Sequence, residues 1–120
     1  MVTVDLWSAV ICFVHAAIPQ CHPVLFGDTT PTGVFPIILR EVVSPGYSGD
    51  VLQFHEEGEY VFSIHRTWNG RPSERRGERL RGAVEKRKIT KGCINVAPEV
   101  YEKLKACCQG QTLIINEGPK

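Results

Sequence analysis

The residue of this chain best suited to covalent chemistry is Cys93, in the stretch Thr90-Lys91-Gly92-Cys93-Ile94-Asn95-Val96. A glycine just before a cysteine lets the backbone turn sharply and lets a substrate come close. Successive backbone N–H groups at such a turn can converge on one point, where they stabilise the oxyanion formed when sulfur attacks an amide. Lys88 and Lys91 stand nearby and would favour the thiolate. A buried structural cysteine in a glycine turn fits the same stretch. A cysteine nucleophile also needs a base or an imidazolium within hydrogen-bond reach. His65 ends the run Tyr60-Val61-Phe62-Ser63-Ile64, where a rigid strand would hold it; His55 is the rival, and His15 and His22 are weaker ones. A structural or surface role also fits each of these histidines taken alone.

Composition bounds the rest. A chain of 120 residues fits one compact domain spanning residues 1–120, and 42% hydrophobic with 22% charged content is ordinary for a globular protein. The net charge of +1 gives the molecule as a whole no pull toward nucleic acid or anionic membrane. Charge is nevertheless uneven: residues 71–88 hold eight basic and three acidic side chains, which leaves −4 for the remainder. Five cysteines leave at least one thiol unpaired, and the lack of a C-x-x-C pair argues against a structural zinc site. Cys107 and Cys108 are adjacent and read as poorly placed to pair with each other. Spacing does not decide whether Cys12 and Cys21 are bridged. Apart from Cys93, the cysteines read as small buried hydrophobes. The apolar start lacks a basic n-region, carries Asp5, and is too short and too interrupted to span a membrane. It is read as part of the fold.

The elements that must position these groups are mostly strands. Residues 2–6 alternate apolar with polar, and residues 9–14 form an apolar run. Residues 16–20 read as a turn, and 21–26 as the returning strand. Residues 27–33 are rich in breakers and read as a loop. Residues 34–43 read as one strand, with Pro36 at its edge or beginning. Residues 51–54 and 60–65 are strands flanking a turn at 56–58. A short helix is expected over 78–87, with Leu80 and Val84 on one side. The best helix is 98–109: Pro98 suits its first turn, Glu99 and Glu102 its positive end, Lys103 and Lys105 its negative end, and Gly110 its stop. A last strand covers 112–115. The sum is a mainly β domain with one clear helix.

Three motifs in order resemble one family. Thr30-Pro31-Thr32-Gly33-Val34-Phe35, Ile64-His65 and Thr90-Lys91-Gly92-Cys93-Ile94-Asn95 are similar to segments of L,D-transpeptidase catalytic domains of the YkuD type. The first strand is similar too, so the resemblance spans nearly the whole chain. Two departures stand out. Lys91 occupies a position where most members have histidine, and 24 residues separate His65 from Thr90. The extra length is the arginine-rich stretch, which resembles a proteobacterial subgroup of the family.

The resemblance implies a compact β-sandwich-like fold and cysteine-dependent acyl transfer on peptidoglycan stem peptides, with no cofactor or metal. Cys93 would be the nucleophile and His65 its base. The Arg66 carbonyl would orient His65, and the N–H groups of Lys91, Gly92 and Cys93 would form the oxyanion hole. Asn95 would steady the local turn at the substrate side. Stem peptides carry carboxylates, which guanidinium groups pair bidentately. Some of Arg71, Arg75, Arg76 and Arg79 are therefore expected at the cleft, with Trp68 as a wall; the alternatives are a solvated charged face and ordinary packing. Cross-linking, exchange and carboxypeptidase outcomes all remain open. So does a peptidoglycan-binding module that kept the fold without catalysis. A nucleic-acid role for residues 71–88 leaves the other motifs unexplained, and a papain-like protease has its nucleophile early and its base late. The expected setting is the periplasm or cell envelope, reached by a route the sequence does not display, and the expected state is a monomer.

Overall fold

The computed structural model describes residues 1–42, 49–67 and 72–118. Its strands follow the sequence periodicity. Val2 and Val4 point inward from β1 (Val2–Asp5), and Ile11 and Phe13 from β2 (Val10–His15). β2 turns back into β3 (Ile18–Pro23) through Ala16 and Ala17, both at positive φ (50° and 64°). A two-residue turn with both centres left-handed matches the twist of the flanking strands. The turn is therefore shorter than the expected 16–20, and β3 begins earlier than residue 21. The pairing sets Cys12 opposite Cys21, and the two are joined by a disulfide with Cα atoms 4.1 Å apart.

The expected strand over 34–43 is two strands in two sheets. β4 (Gly33–Pro36) pairs with β9 (Thr112–Asn116), whereas β5 (Ile38–Arg40) pairs with β6 (Val51–Glu57). Between them Ile37 is buried, its N–H donating to the Gln111 carbonyl and its carbonyl accepting from the Gly110 N–H. Pro36, without an N–H, cannot continue a ladder on both sides, and the chain crosses from sheet to sheet there. Residue 43 lies outside the described residues.

The two sheets run β3-β2-β1-β9-β4 and β5-β6-β7-β8, where β7 is Tyr60–Arg66 and β8 is Ile94–Val96. β1 lies parallel to β9 and β7 parallel to β8; the other neighbours are antiparallel. Between β7 and β8 the chain forms a short helix α1 (Arg76–Arg79) and a 3-10 turn (Val84–Lys86). This replaces the single helix expected over 78–87. Gly82 interrupts it, and the Arg87 guanidinium donates to the Gly82 and Ala9 carbonyls across the break.

Helix α2 (Pro98–Cys108) buries Val100, Tyr101, Leu104 and Cys108 and contacts both β2 and β7. Cys107 and Cys108 at its end are disulfide-bonded to each other, contrary to the sequence expectation. One buried apolar cluster links both sheets and α2, with Val4, Ile11, Leu52, Ile64, Ile94 and Leu104 among its members. The architecture is mainly β with one long helix, as expected. Among the described residues no helix is long and apolar enough to cross a membrane.

Candidate active site

The parallel pairing of β7 with β8 sets His65 opposite Asn95 and Ile64 opposite Ile94. Directly paired residues project to the same face of a sheet, so His65 and Asn95 meet side by side. Cys93 lies one residue before β8 and two before Asn95, at the mouth of the same strand. Both His65 and Asn95 are buried, at 4% and 0% exposure. Buried polar groups need partners, and here each has them. His65 Nδ1 donates to the Arg66 carbonyl at 2.8 Å, and Asn95 Nδ2 donates to His65 Nε2 at 3.2 Å. Asn95 Oδ1 accepts from Arg76 Nη1 at 2.7 Å.

Burial, the largest influence on His65, disfavours its charged form and pulls its pKa down from 6.5 to about 4; the bond to the Arg66 carbonyl opposes this and the Arg76 charge adds to it. The ring is neutral at pH 7, with its lone pair on Nε2. Burial also pushes the Cys93 thiol above its ordinary value, against smaller opposing effects of the Ser63 backbone and the Arg76 charge. The thiol lies 3.8 Å from the Val61 carbonyl. The resting pair is thus a neutral thiol and a neutral imidazole. Of the lysines expected to favour the thiolate, Lys88 Nζ is paired with Asp28 at 3.0 Å and Lys91 is exposed; the charge that acts on Cys93 here is that of Arg76.

The loop that carries Cys93 is clamped from the segment 27–30. Thr29 Oγ1 donates to the Lys91 carbonyl, and Thr30 Oγ1 to the Gly92 carbonyl, both at 2.9 Å. Thr30 Oγ1 in turn accepts from the Gly27 N–H at 2.9 Å. Gly27 packs so closely that an added Cβ would run into the Thr90 carbonyl. Gly92 has φ +121°, and a Cβ there would stand 2.5 Å from the Phe62 ring and 2.9 Å from Thr29 Oγ1. Only glycine fits both the conformation and the space. The Gly92 N–H donates to Thr90 Oγ1 at 3.1 Å, so of the three expected oxyanion donors this one is engaged inside its own loop. Thr29 and Thr30 were not singled out in the sequence as site residues. They touch the cysteine loop from 62 positions away, and the Thr-Pro-Thr-Gly likeness hinted at Thr30 alone.

The carbonyl that orients His65 is itself fixed. Arg66 donates to Asp50 Oδ1 at 3.0 Å and to Glu102 at 2.5 Å, and stacks 4.0 Å above the Tyr101 ring. Tyr101 and Lys105 also donate to Asp50, at 3.0 and 2.6 Å. These contacts tie the end of β7 to α2.

The described arginines of the 71–88 stretch are engaged with neighbours of their own. Arg76 is 13% exposed in its side chain and turns inward to Asn95 and Glu74, rather than outward to a ligand. Arg75 pairs with Glu78 on the surface, and Arg79 donates to the Glu74 and Lys86 carbonyls of its own segment. Arg71 and Trp68 lie outside the described residues. Asn95, expected to steady a turn at the substrate side, is instead a buried link between His65 and Arg76. Beside the cysteine loop opens a cleft of about 900 Å³, lined by Phe62, Thr90 and Lys91 together with the carboxylates of Asp28, Glu57 and Glu59. Its charged lining is three carboxylates against one lysine and includes none of the described arginines. Among the rival histidines, His55 stacks on Phe62 and pairs with Glu57, and His22 bonds Gln20.

No protein-family model matches the chain, and no curated protein matches its sequence. Its fold, in contrast, is similar to that of several L,D-transpeptidase structures. L,D-transpeptidase 3 from Mycobacterium tuberculosis superposes with a TM-score of 0.64 at 13% identity, over 97% of this chain and 60% of that one. An Enterococcus faecium L,D-transpeptidase gives 0.64 at 16% identity, over 96% of this chain and 48% of that one. An L,D-transpeptidase solved in complex with imipenem gives 0.61 at 12% identity, over 96% and 57%. The chain therefore has an L,D-transpeptidase-type fold and spans about half to three-fifths of the length of these proteins.

Proposed function

We propose that the chain catalyses cysteine-dependent acyl transfer on peptidoglycan stem peptides, as an L,D-transpeptidase. The observation that carries this reading is the paired His65 and β8 entry on such a fold. An imidazole locked by the Arg66 carbonyl into the Nε2-acceptor form stands opposite the short strand that Cys93 leads into. That tautomer is the one a general base requires, because its lone pair is on the outer nitrogen.

In this reading the Cys93 sulfur attacks the carbonyl of the bond that links the diamino acid's L-centre to a terminal D-amino acid. Its proton passes to His65 Nε2. The C–N bond breaks, His65 returns the proton to the leaving amine, and a thioester remains on Cys93. An acceptor amine then attacks the thioester, and the thiol is regenerated. Because the resting pair is uncharged, proton transfer accompanies attack rather than preceding it, and Nε2 must leave the Asn95 amide to accept. The Lys91 and Cys93 N–H groups are the proposed oxyanion donors, since the Gly92 N–H is bonded to Thr90. The acidic cleft supports an ammonium-bearing acceptor there, by simple charge attraction. Water as acceptor would give the carboxypeptidase outcome, and a free D-amino acid the exchange outcome. The proposed setting is the periplasm or envelope, supported by two disulfides, which persist in oxidising compartments.

Incubation with a purified tetrapeptide-stem muropeptide, followed by mass analysis, tests the proposal. Cross-linked dimer, exchanged tetrapeptide or tripeptide, lost in Cys93→Ala, is the expected result. Binding of the muropeptide without turnover by the wild type would leave the non-catalytic module in its place.

A further inference from the structure

Arg76 belongs to a segment whose charge suggests a ligand-binding face, yet its guanidinium turns inward, partly buried against Asn95. A guanidinium carries donors and no acceptor. Whatever receives its Nη1–H must therefore be an acceptor, and at 2.7 Å that atom is Asn95 Oδ1. The orientation of the Asn95 amide follows: its Nδ2 donor faces the other way, 3.2 Å from His65 Nε2. His65 Nε2 must then hold a lone pair, which leaves the proton on Nδ1, where the Arg66 carbonyl accepts it at 2.8 Å. The three bonds form one chain whose donor–acceptor sense is fixed at both ends, by a guanidinium that can only donate and a carbonyl that can only accept. The Asn95 backbone cannot relax to escape it, because its N–H and carbonyl are both bonded to Leu25, at 3.0 and 2.9 Å. Arg76 is itself seated by Glu74 Oε1 at 3.3 Å, and Arg75, with φ 52°, turns the chain into α1 just before it.

We infer that Arg76 is a positioning residue for His65, acting through Asn95 to hold the ring in its Nε2-acceptor form. The inference rests on the reading of His65 as the base for Cys93. It gives the arginine-rich segment a part in the frame of the active site. With Arg76 gone, the Asn95 amide is free to turn its oxygen toward Nε2, where it competes with the Arg66 carbonyl for the ring's one proton, and a ring bearing that proton on Nε2 cannot take one from the thiol.

The test uses the full chain and compares wild type with Arg76→Met and Arg76→Lys. Nitrogen-15 NMR of the histidines reports the His65 tautomer without any need for activity. The expected result is a single Nε2-acceptor form in wild type, a mixture in Arg76→Met, and recovery in Arg76→Lys, which restores a donor-only group. With the tetrapeptide stem as donor, kcat should fall by about 10²-fold in Arg76→Met, the scale of a misplaced catalytic group, while KM stays near the wild-type value. If Arg76→Met does not fold, Arg76→Leu serves, since its side chain likewise offers Asn95 no donor. An unchanged tautomer in the folded neutral variant overturns the inference. A wild type that shows the expected tautomer but no turnover would instead sink the reading of the site as catalytic, leaving the positioning role of Arg76 standing.

Discussion

Acidification should destabilise this protein through one buried ring. His65 is held neutral, with a folded-state pKa of about 4 against an ordinary 6.5, chiefly because burial disfavours its charged form. In the unfolded chain the ring takes up a proton as the pH falls through 6.5; in the folded chain it resists until about 4. Between those limits the unfolded state binds more protons, so stability falls as pH falls. The stabilisation is fully present above 6.5 and is lost on approach to 4; a difference of that size corresponds to roughly 3 kcal/mol. Such a loss is a large share of the total stability of a small domain. Urea unfolding at a series of pH values from 7.5 to 4 measures it, with His65→Gln as reference because that variant lacks the titrating group. The wild-type curve should fall about 3 kcal/mol further than the variant curve. Asp50, whose bonds from Lys105, Arg66 and Tyr101 outweigh the upward push of burial, has its pKa lowered and contributes its own loss at more acid pH, equally in both proteins. Parallel curves, or an NMR midpoint for His65 near 6.5, would refute the buried neutral ring.

The cysteine loop gives three further expectations. Gly92→Ala puts a Cβ against Phe62 and Thr29 at a positive φ, and should cost about 1–3 kcal/mol in urea unfolding together with a loss of Cys93 reactivity. Thr30→Val removes the bonds to the Gly92 carbonyl and the Gly27 N–H at a buried position, and should cost about 1–3 kcal/mol by the same assay. The Cys93 thiol should alkylate slowly at neutral pH, with a rate by iodoacetamide that keeps rising beyond pH 9, because burial raises its pKa above the ordinary 9.0. A plateau near pH 7 would mean a preformed thiolate instead.

What could be read from the sequence was set by neighbours along the chain. The alternation of Val2 with Val4, the run ending at His65 and the Pro98-to-Gly110 pattern are local signals, and the corresponding elements formed. What could not be read depends on partners far away. Ile37 leaves one sheet for the other because Pro36 cannot pair on both sides and residues 110 and 111 receive its backbone. Arg76 turns inward because the buried amide of Asn95, 19 positions along the chain, offers it an oxygen. Thr29 and Thr30 matter because the cysteine loop folds back onto them. Charge counting over residues 71–88 predicted a ligand-facing patch and had no means of separating a guanidinium that seeks solvent from one that satisfies a core.

The central claim is that Cys93 forms a covalent acyl intermediate. Intact-protein mass spectrometry after incubation with imipenem, a compound found bound to one protein of this fold, tests it directly. The account predicts a gain of one ligand mass, mapped to Cys93 by peptide analysis and absent in Cys93→Ala. An unmodified wild type, or an adduct of equal yield in Cys93→Ala, would contradict it.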